Sequence, residues 1–101
     1  MTHIRFVWDE AKNRGKHGLS FEEASHVFFD PLHLSLQDRI ENGEQRWQTL
    51  GQVDGIAILL VAHTFTEDGP IDSLTDEPIE VVRIISARPA TRKERRRYEN
   101  G

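Results

Sequence analysis

Alternation of apolar and polar residues, broken by Asn-Gly and Asp-Gly pairs, is the feature that most restricts how this chain folds. The alternating segments predict strands over residues 3–8, 32–37, 44–51, 56–65 and 80–87. Asn42-Gly43 and Asp54-Gly55 separate the middle segments and predict tight turns. Strands joined by such short loops pair antiparallel, so we expect an antiparallel sheet of about four to five strands.

Two helices are predicted between the first and second strands. Asp9 can cap the first, over residues 10–17, which Gly18 ends. Ser20 and Glu23 form a capping box that begins the second, which runs to about Phe29. A third, short helix follows the last strand. The order β-α-α-β-β-β-β-α predicts an α+β fold of two layers, in which the early helices cover one face of the sheet.

Length and composition exclude several classes of protein. A chain of 101 residues predicts a single domain over residues 1–101. The chain has no cysteine, which excludes disulfide frameworks, cysteine-ligated zinc and thiol chemistry. The longest apolar run, residues 56–62, is too short to span a bilayer, and the first residues lack the apolar segment of a signal peptide. These features predict a soluble, cytoplasmic protein with no membrane partner.

The net charge of −4 hides a strong asymmetry along the chain. Residues 1–66 carry a net charge of −3, residues 67–80 carry −6 and residues 81–101 carry +5. Polyanions respond to local clusters of charge rather than to the average, so the total does not exclude binding to nucleic acid. The acidic segment is expected to point away from any nucleic-acid groove or to contact the basic helix.

The last helix concentrates the positive charge. Its five cations span roughly a 200° arc of the helix surface; they are Arg92, Lys93, Arg95, Arg96 and Arg97. Glu94 and Tyr98 share the remaining sector. This pattern predicts a surface that binds a phosphate backbone or an acidic partner protein, although a solvated helix is the plainer interpretation.

Arginines and a glutamate in the strands form a second set of candidates. Glu44, Arg46 and Gln48 project from one side of their strand, either as a solvated surface or as a site in which Glu44 accepts a proton and Arg46 binds phosphate. Strict alternation places Arg83 and Arg88 on opposite faces of the sheet. A bulge near Ser86 or a bend at Arg88 is needed for both arginines to serve one site.

The five histidines do not form a metal-binding pattern. None belongs to an HxH or HxxxH pair, so neither a metal nor another cofactor is expected. His17, beside Lys16, can serve as a general acid or base, or can simply interact with the end of its helix.

The chain resembles the BrnT toxins of bacterial toxin–antitoxin systems. The resemblance rests mainly on residues 16–24 (KHGLSFEEA) and 83–99 (RIISARPATRKERRRYE). Residues 6–12 (FVWDEAK) and 43–47 (GEQRW), with Asp30-Pro31 and Gly51, extend it over nearly the whole chain. It implies a RelE-like fold and a metal-independent ribonuclease that inhibits translation. It also implies a BrnA-like antitoxin, with operator DNA contacted only through that antitoxin.

The resemblance also implies a set of site residues. The catalytic candidates are Lys16, His17, Glu44, Arg46, Arg83, Arg88 and Tyr98. The candidates for binding RNA or antitoxin are Lys12, Arg92, Lys93, Arg95, Arg96 and Arg97.

Metal-free cleavage of RNA defines the roles that these side chains must fill. The 2′-hydroxyl attacks the adjacent phosphate, so the enzyme needs a base, an acid and cations that stabilise the added charge. Arg46, Arg83 and Arg88 suit the last role, Glu44 or Lys16 is the expected base, and His17 or Tyr98 the expected acid. The alternative is a non-catalytic RNA- or protein-binding module with an arginine-rich docking helix. A DNA-binding domain is disfavoured because no helix-turn-helix core is present in the sequence.

Overall fold

The computed structural model describes residues 4–8, 19–55, 57–66 and 71–101. The described strands are β1 (Ile4–Trp8), β2 (Leu34–Glu41), β3 (Glu44–Val53), β4 (Ala57–Thr66) and β5 (Glu80–Pro89). The described helices are α1 (Phe21–His26), which continues as a 3-10 turn over Val27–Phe29, and α2 (Arg92–Asn100). Within these ranges, neither helix has the length and apolar character needed to cross a membrane.

The strands form one mixed sheet in the order β1-β5-β4-β3-β2. The pairs β2–β3, β3–β4 and β4–β5 are antiparallel, as predicted. The expectation of a wholly antiparallel sheet is wrong, because β1 pairs with β5 in parallel. These two strands are distant in the chain, so the rule that short loops give antiparallel pairs does not apply to them.

The described part of the chain has one helix before β2, where two were predicted. The predicted helix over residues 10–17 lies outside the described residues. The capping box at the start of α1 is confirmed: the backbone N–H of Glu23 donates to Ser20 Oγ at 3.1 Å, and the N–H of Ser20 donates to Glu23 Oε1 at 3.3 Å. The helix ends in a 3-10 turn at Phe29, close to the predicted end.

A glycine on β3 lets α1 pack closely against the sheet. A Cβ atom at Gly51 would lie 2.6 Å from the carbonyl oxygen of Val27, which is closer than real Cβ atoms approach. Val27 is fully buried, together with Ala24 of α1. The helix therefore covers one face of the sheet, which we call the core face, where Val61 and Ile84 are also fully buried.

Both predicted hairpin turns are confirmed. Asn42 and Gly43 have φ angles of 53° and 80°, and Asp54 and Gly55 have φ angles of 56° and 69°. Two consecutive positive φ angles are the signature of the tight turns that favour Asn-Gly and Asp-Gly. The strand β2 continues up to the first turn and ends at Glu41, four residues beyond its predicted end.

A bulge in β5 brings the two strand arginines to the same face of the sheet. Ser86 pairs with Ala62 and Ile84 pairs with His63, so Ile85 is the extra residue. Side chains directly opposite each other lie on the same face. Arg83, opposite Thr64, and Arg88, opposite Leu60, therefore share a face. This is the bulge near Ser86 that a shared site requires, and we call this side of the sheet the arginine face.

Candidate active site

The arginine face carries four sequence-predicted candidates on neighbouring strands. Arg46 on β3 and Arg83 on β5 both lie beside Thr64 of β4, in one row across the sheet. Arg88 lies beside Leu60, four residues away on β4, which corresponds to about 13 Å at ~3.3 Å per residue. Glu44 lies two residues before Arg46 and shares its face. The sheet therefore joins Glu44, Arg46 and Arg83 at one end and places Arg88 at the other.

Glu44 and Arg83 form an ion pair across β4. Arg83 Nη2 donates to Glu44 Oε1 at 2.8 Å. The side chain of Arg83 is 37% exposed and that of Glu44 is 43% exposed. An ion pair this exposed contributes little to stability. An incoming anion can therefore displace the carboxylate from Arg83 at low cost.

Arg46 is the most buried charged side chain among these candidates. The residue is only 7% exposed, and its Nε lies 3.9 Å from Glu41 Oε2. In the described part of the chain, the Nε atoms of Arg46 and Arg83 are both buried without a hydrogen-bond partner. Buried donors are normally satisfied, so these two unpaired Nε atoms are an unusual feature of this row.

Arg88 is engaged by the last helix. Its Nη1 and Nη2 donate to Glu94 Oε1 and Oε2 at 2.7 and 2.9 Å, a bidentate pair. Glu94 Oε1 also accepts from the backbone N–H of Thr91 at 2.8 Å, which completes a capping box at the start of α2. Arg88 thus anchors the first turn of α2, and both of its terminal nitrogens are already occupied.

This pair makes stability depend on pH in the acid range. The hydrogen bonds from Arg88 lower the pKa of Glu94 from 4.5 to about 2. Because the folded pKa lies below the unfolded one, the stabilisation is present above about pH 4.5 and is lost as the pH falls toward 2. This pair should account for about 1–2 kcal/mol of the unfolding free energy that is lost in acid, after allowance for partial exposure. We expect that part of the loss to be absent from Glu94→Gln.

Urea unfolding of Glu94→Gln and wild type at several pH values between 2 and 5 measures this contribution. Glu99→Gln is the matched control, since Glu99 is exposed on the same helix. Equal pH dependence of the wild type and Glu94→Gln would contradict the assignment.

Tyr98 anchors α2 to the sheet, at the end of β3 away from Glu44. Its hydroxyl donates to Asp30 Oδ2, and its ring packs against Leu50 and Leu60. The hydrogen bond to Asp30 raises the pKa of Tyr98 to about 12. A phenol that holds its proton this firmly is a poor general acid at neutral pH, so the contacts favour a docking role over the predicted catalytic one.

Asp30 in turn joins α2 to the rest of the fold. Its Oδ2 also accepts from the backbone N–H of Gln52 at 2.8 Å, and its Oδ1 accepts from Leu32 N–H at 2.9 Å. Burial opposes ionisation, but the hydrogen bonds, led by that from Tyr98, hold the pKa of Asp30 below its ordinary value. The carboxylate therefore remains charged and keeps Tyr98 in place.

The five cations of α2 face solvent. Only Glu94 and Tyr98 of this helix are half-buried, as the sequence predicted. All the remaining residues of α2 are exposed, and within the described residues none of the five cations makes an ion pair. The helix therefore presents a surface of unpaired positive charge. The candidates Lys12, Lys16 and His17 lie outside the described residues.

Sequence reasoning missed a polar cluster on the core face. Ser35 Oγ lies 2.8 Å from Thr49 Oγ1, which lies 2.7 Å from Nε2 of His63. Burial lowers the pKa of His63, so its ring is neutral at physiological pH. The cross-strand pairs Ser35–Thr49 and Trp47–His63 are the signal, but they require the strand register to be known.

This cluster borders a cleft of about 390 Å³ with mainly apolar walls, formed by Ile4, Phe6, Phe28, Trp47, Phe65 and Val82. The cleft lies on the other face of the sheet from the arginines. Among the described residues, no group of three or more His, Asp or Glu side chains is placed to hold a metal ion.

Comparison with known proteins gives the family. A family model described as "Ribonuclease toxin, BrnT, of type II toxin-antitoxin system" matches residues 8–94. The crystal structure of the Brucella abortus ribonuclease toxin BrnT is similar in fold, with a TM-score of 0.52 and 24% sequence identity, over 90% of this chain and 100% of that one. A comparison with curated proteins found no match. Because the model covers most of its length, the chain belongs to the BrnT family of ribonuclease toxins of type II toxin–antitoxin systems.

Proposed function

We propose that this chain is a metal-independent endoribonuclease whose reacting phosphate binds between Arg83 and Arg46. The observation that carries the proposal is the row formed by the Arg46 and Arg83 guanidinium groups, in which the Arg83 side chain is 37% exposed and held by a carboxylate that an anion can displace. A guanidinium binds phosphate through two parallel hydrogen bonds and stays charged at every physiological pH. Such donors stabilise the extra negative charge of the pentacoordinate phosphorus in the transition state.

Glu44 is the base in the proposed reaction. Its carboxylate already lies within 2.8 Å of Arg83 Nη2, so a phosphate at Arg83 brings the neighbouring 2′-hydroxyl close to it. The carboxylate takes the proton of this hydroxyl, the 2′-oxygen forms a bond to phosphorus, and the bond from phosphorus to the 5′-oxygen breaks. The products are a 2′,3′-cyclic phosphate and a 5′-hydroxyl, which takes its proton from an acid. Lys16 remains the alternative base, and His17 is the candidate acid.

The proposed cellular role is inhibition of translation by cleavage of RNA in the cytoplasm. Membership of a type II toxin–antitoxin family implies an antitoxin partner. We propose a BrnA-like antitoxin that neutralises the toxin by covering the arginine face or α2, whose exposed cations suit an acidic partner.

Cleavage of a labelled RNA in the presence of EDTA tests the chemistry. We expect fragments that end in a 2′,3′-cyclic phosphate, and no cleavage of the same sequence with 2′-O-methyl riboses, because that substrate has no nucleophile. Activity that EDTA abolishes and Mg²⁺ restores would overturn metal independence. Cleavage of the 2′-O-methyl strand would overturn the role of the 2′-hydroxyl.

The exposed cations of α2 also support the second candidate, a non-catalytic module that binds RNA or protein. Binding of the unmodified RNA without any cleavage would favour this candidate over the enzyme.

A further inference from the structure

A shallow strip crosses the arginine face between its two charged ends. The strip is one row of the sheet, formed by Leu36, Gln48, Ala62 and Ser86 on four neighbouring strands. All four residues are half-buried, and neither helix of the described part packs over them. Ala62 and Ser86 have small side chains. On one side of them lies the row that contains Arg46 and Arg83. We call the row with Ala62 and Ser86 the trough.

The two ends of the arginine face differ in charge. Residues 67–80, between β4 and β5 in the chain, carry a net charge of −6, and the residues that flank them, Thr66 and Val81, pair at the end near Arg83. Glu41 and Glu44 lie at the same end. The helix α2, with five exposed cations, packs at the other end against Leu50 and Leu60. A polyanion bound at Arg83 is therefore repelled at one end and attracted toward the other.

We propose that a single RNA strand lies along β4 and crosses the trough, running from Arg83 and Arg46 over Ala62 to the cations of α2. This inference rests on the proposed function, since it extends the path of the same substrate. It also assigns a role to the acidic segment: that segment sets the direction in which the strand leaves the reacting phosphate.

The dimensions of this path fit one strand. The path from Thr64 to Leu60 is about 13 Å long, which is about four nucleotides at a stacked rise of ~3.4 Å. The floor from β3 to β5 spans two strand spacings, about 10 Å. The path therefore has the length and width of one strand.

Either flank of α2 can contact the RNA strand. With Glu94 and Tyr98 turned inward, the 100° step per residue puts Lys93 and Arg97 on one flank of α2 and Arg95 on the other. Whichever flank borders the trough, it presents positive charge to the phosphates. The ion pair between Arg88 and Glu94 holds this flank in position.

Filling the trough tests the path. The probe is a fluorescein-labelled ten-nucleotide RNA with 2′-O-methyl riboses, which binds without being cleaved, and its Kd is read by anisotropy. In Ala62→Phe, we expect the Kd to rise about tenfold or more, because a ring on the trough floor blocks several nucleotides. A sheet accepts an aromatic residue at a half-exposed position, so the fold should persist. Ala57→Phe is the matched control, since Ala57 is an exposed alanine of β4 on the core face.

Salt dependence tests the far end of the path. About four neutralised phosphates give a slope near −3 in a plot of log K against log salt concentration. Arg97→Ala and Arg95→Ala each remove one cation, and the residue that borders the trough should reduce this slope by about 0.7. A blunt duplex of the same sequence should bind much more weakly than the single strand.

The outcomes separate this inference from the proposed function. If Ala62→Phe binds and cleaves RNA like the wild type while Arg83→Ala is inactive, the trough is wrong and the active site stands. If the α2 variants lose affinity for the antitoxin but keep the salt slope of RNA binding, α2 serves the antitoxin and the path is wrong. If the wild type binds the single strand through Ala62 but never cleaves RNA, the trough stands and the proposed function fails.

Discussion

Arg83→Ala is expected to lower the rate of RNA cleavage by about 10³-fold, the effect typical of removing a donor that stabilises charge in a transition state. Arg83 is the candidate whose guanidinium is both partly exposed and held by a carboxylate that substrate can displace. The measurement is single-turnover cleavage of a labelled RNA, with growth arrest after induction as the cellular readout. Cleavage within about threefold of the wild-type rate would remove Arg83 from the site.

The structure indicates that Arg83→Ala will stay folded, so that its loss of cleavage activity reflects the site and not unfolding. The pair between Arg83 and Glu44 is about 40% exposed, so its loss should cost less than about 1 kcal/mol of stability. Arg39→Ala is the control, because Arg39 pairs with Glu41 on the exposed edge strand β2. Arg83→Lys should retain part of the activity, since lysine supplies the charge without the bidentate geometry.

The order and limits of most elements follow from local sequence. The pairs Asn42-Gly43 and Asp54-Gly55 specify the turns chemically, because both positions need positive φ angles. The capping boxes specify where α1 and α2 begin, because the two side chains of each box satisfy backbone N–H groups three residues apart. The inward sector of α2 also follows, since only Glu94 and Tyr98 lack positive charge at the right spacing.

The long-range features of the site do not follow from local sequence. The parallel pairing of β1 with β5 joins segments more than seventy residues apart, and alternation within each strand carries no information about it. The bulge at Ile85 is not predictable from the sequence either, because a run of apolar residues has the same pattern with or without a bulge. Without this bulge, Arg88 would face the core side of the sheet.

For two candidates, Arg88 and Tyr98, the contacts favour roles other than the predicted ones. Arg88 was expected to bind phosphate, but Glu94 occupies both of its terminal nitrogens. Tyr98 was a candidate acid, but Asp30, 68 residues away, holds its proton. Sequence alone named the candidates on this face, and the contacts show which of their polar atoms are already engaged by other residues.

Glu44→Gln separates the two roles that Glu44 can play beside Arg83. If the carboxylate is the base, cleavage should fall by about 10²–10⁴-fold, because the amide cannot take the proton of the 2′-hydroxyl. Binding of the 2′-O-methyl strand should stay equal or become tighter, because a negative charge that competes for Arg83 is removed. Single-turnover cleavage and anisotropy on the same variant measure the two effects independently. Glu22→Gln, an exposed carboxylate on α1, is the control.

The pH profile distinguishes a base from a partner that only orients Arg83. Loss of the base should remove the rise of kcat/KM on the acid side of the profile, whereas a positioning role would lower the rate and leave the shape of the profile unchanged. Glu44→Asp should restore part of the rate if proton transfer is the role, since the shorter carboxylate still accepts a proton. Cleavage by Glu44→Gln at the wild-type rate, with loss of cleavage in Lys16→Met, would transfer the role of base to Lys16.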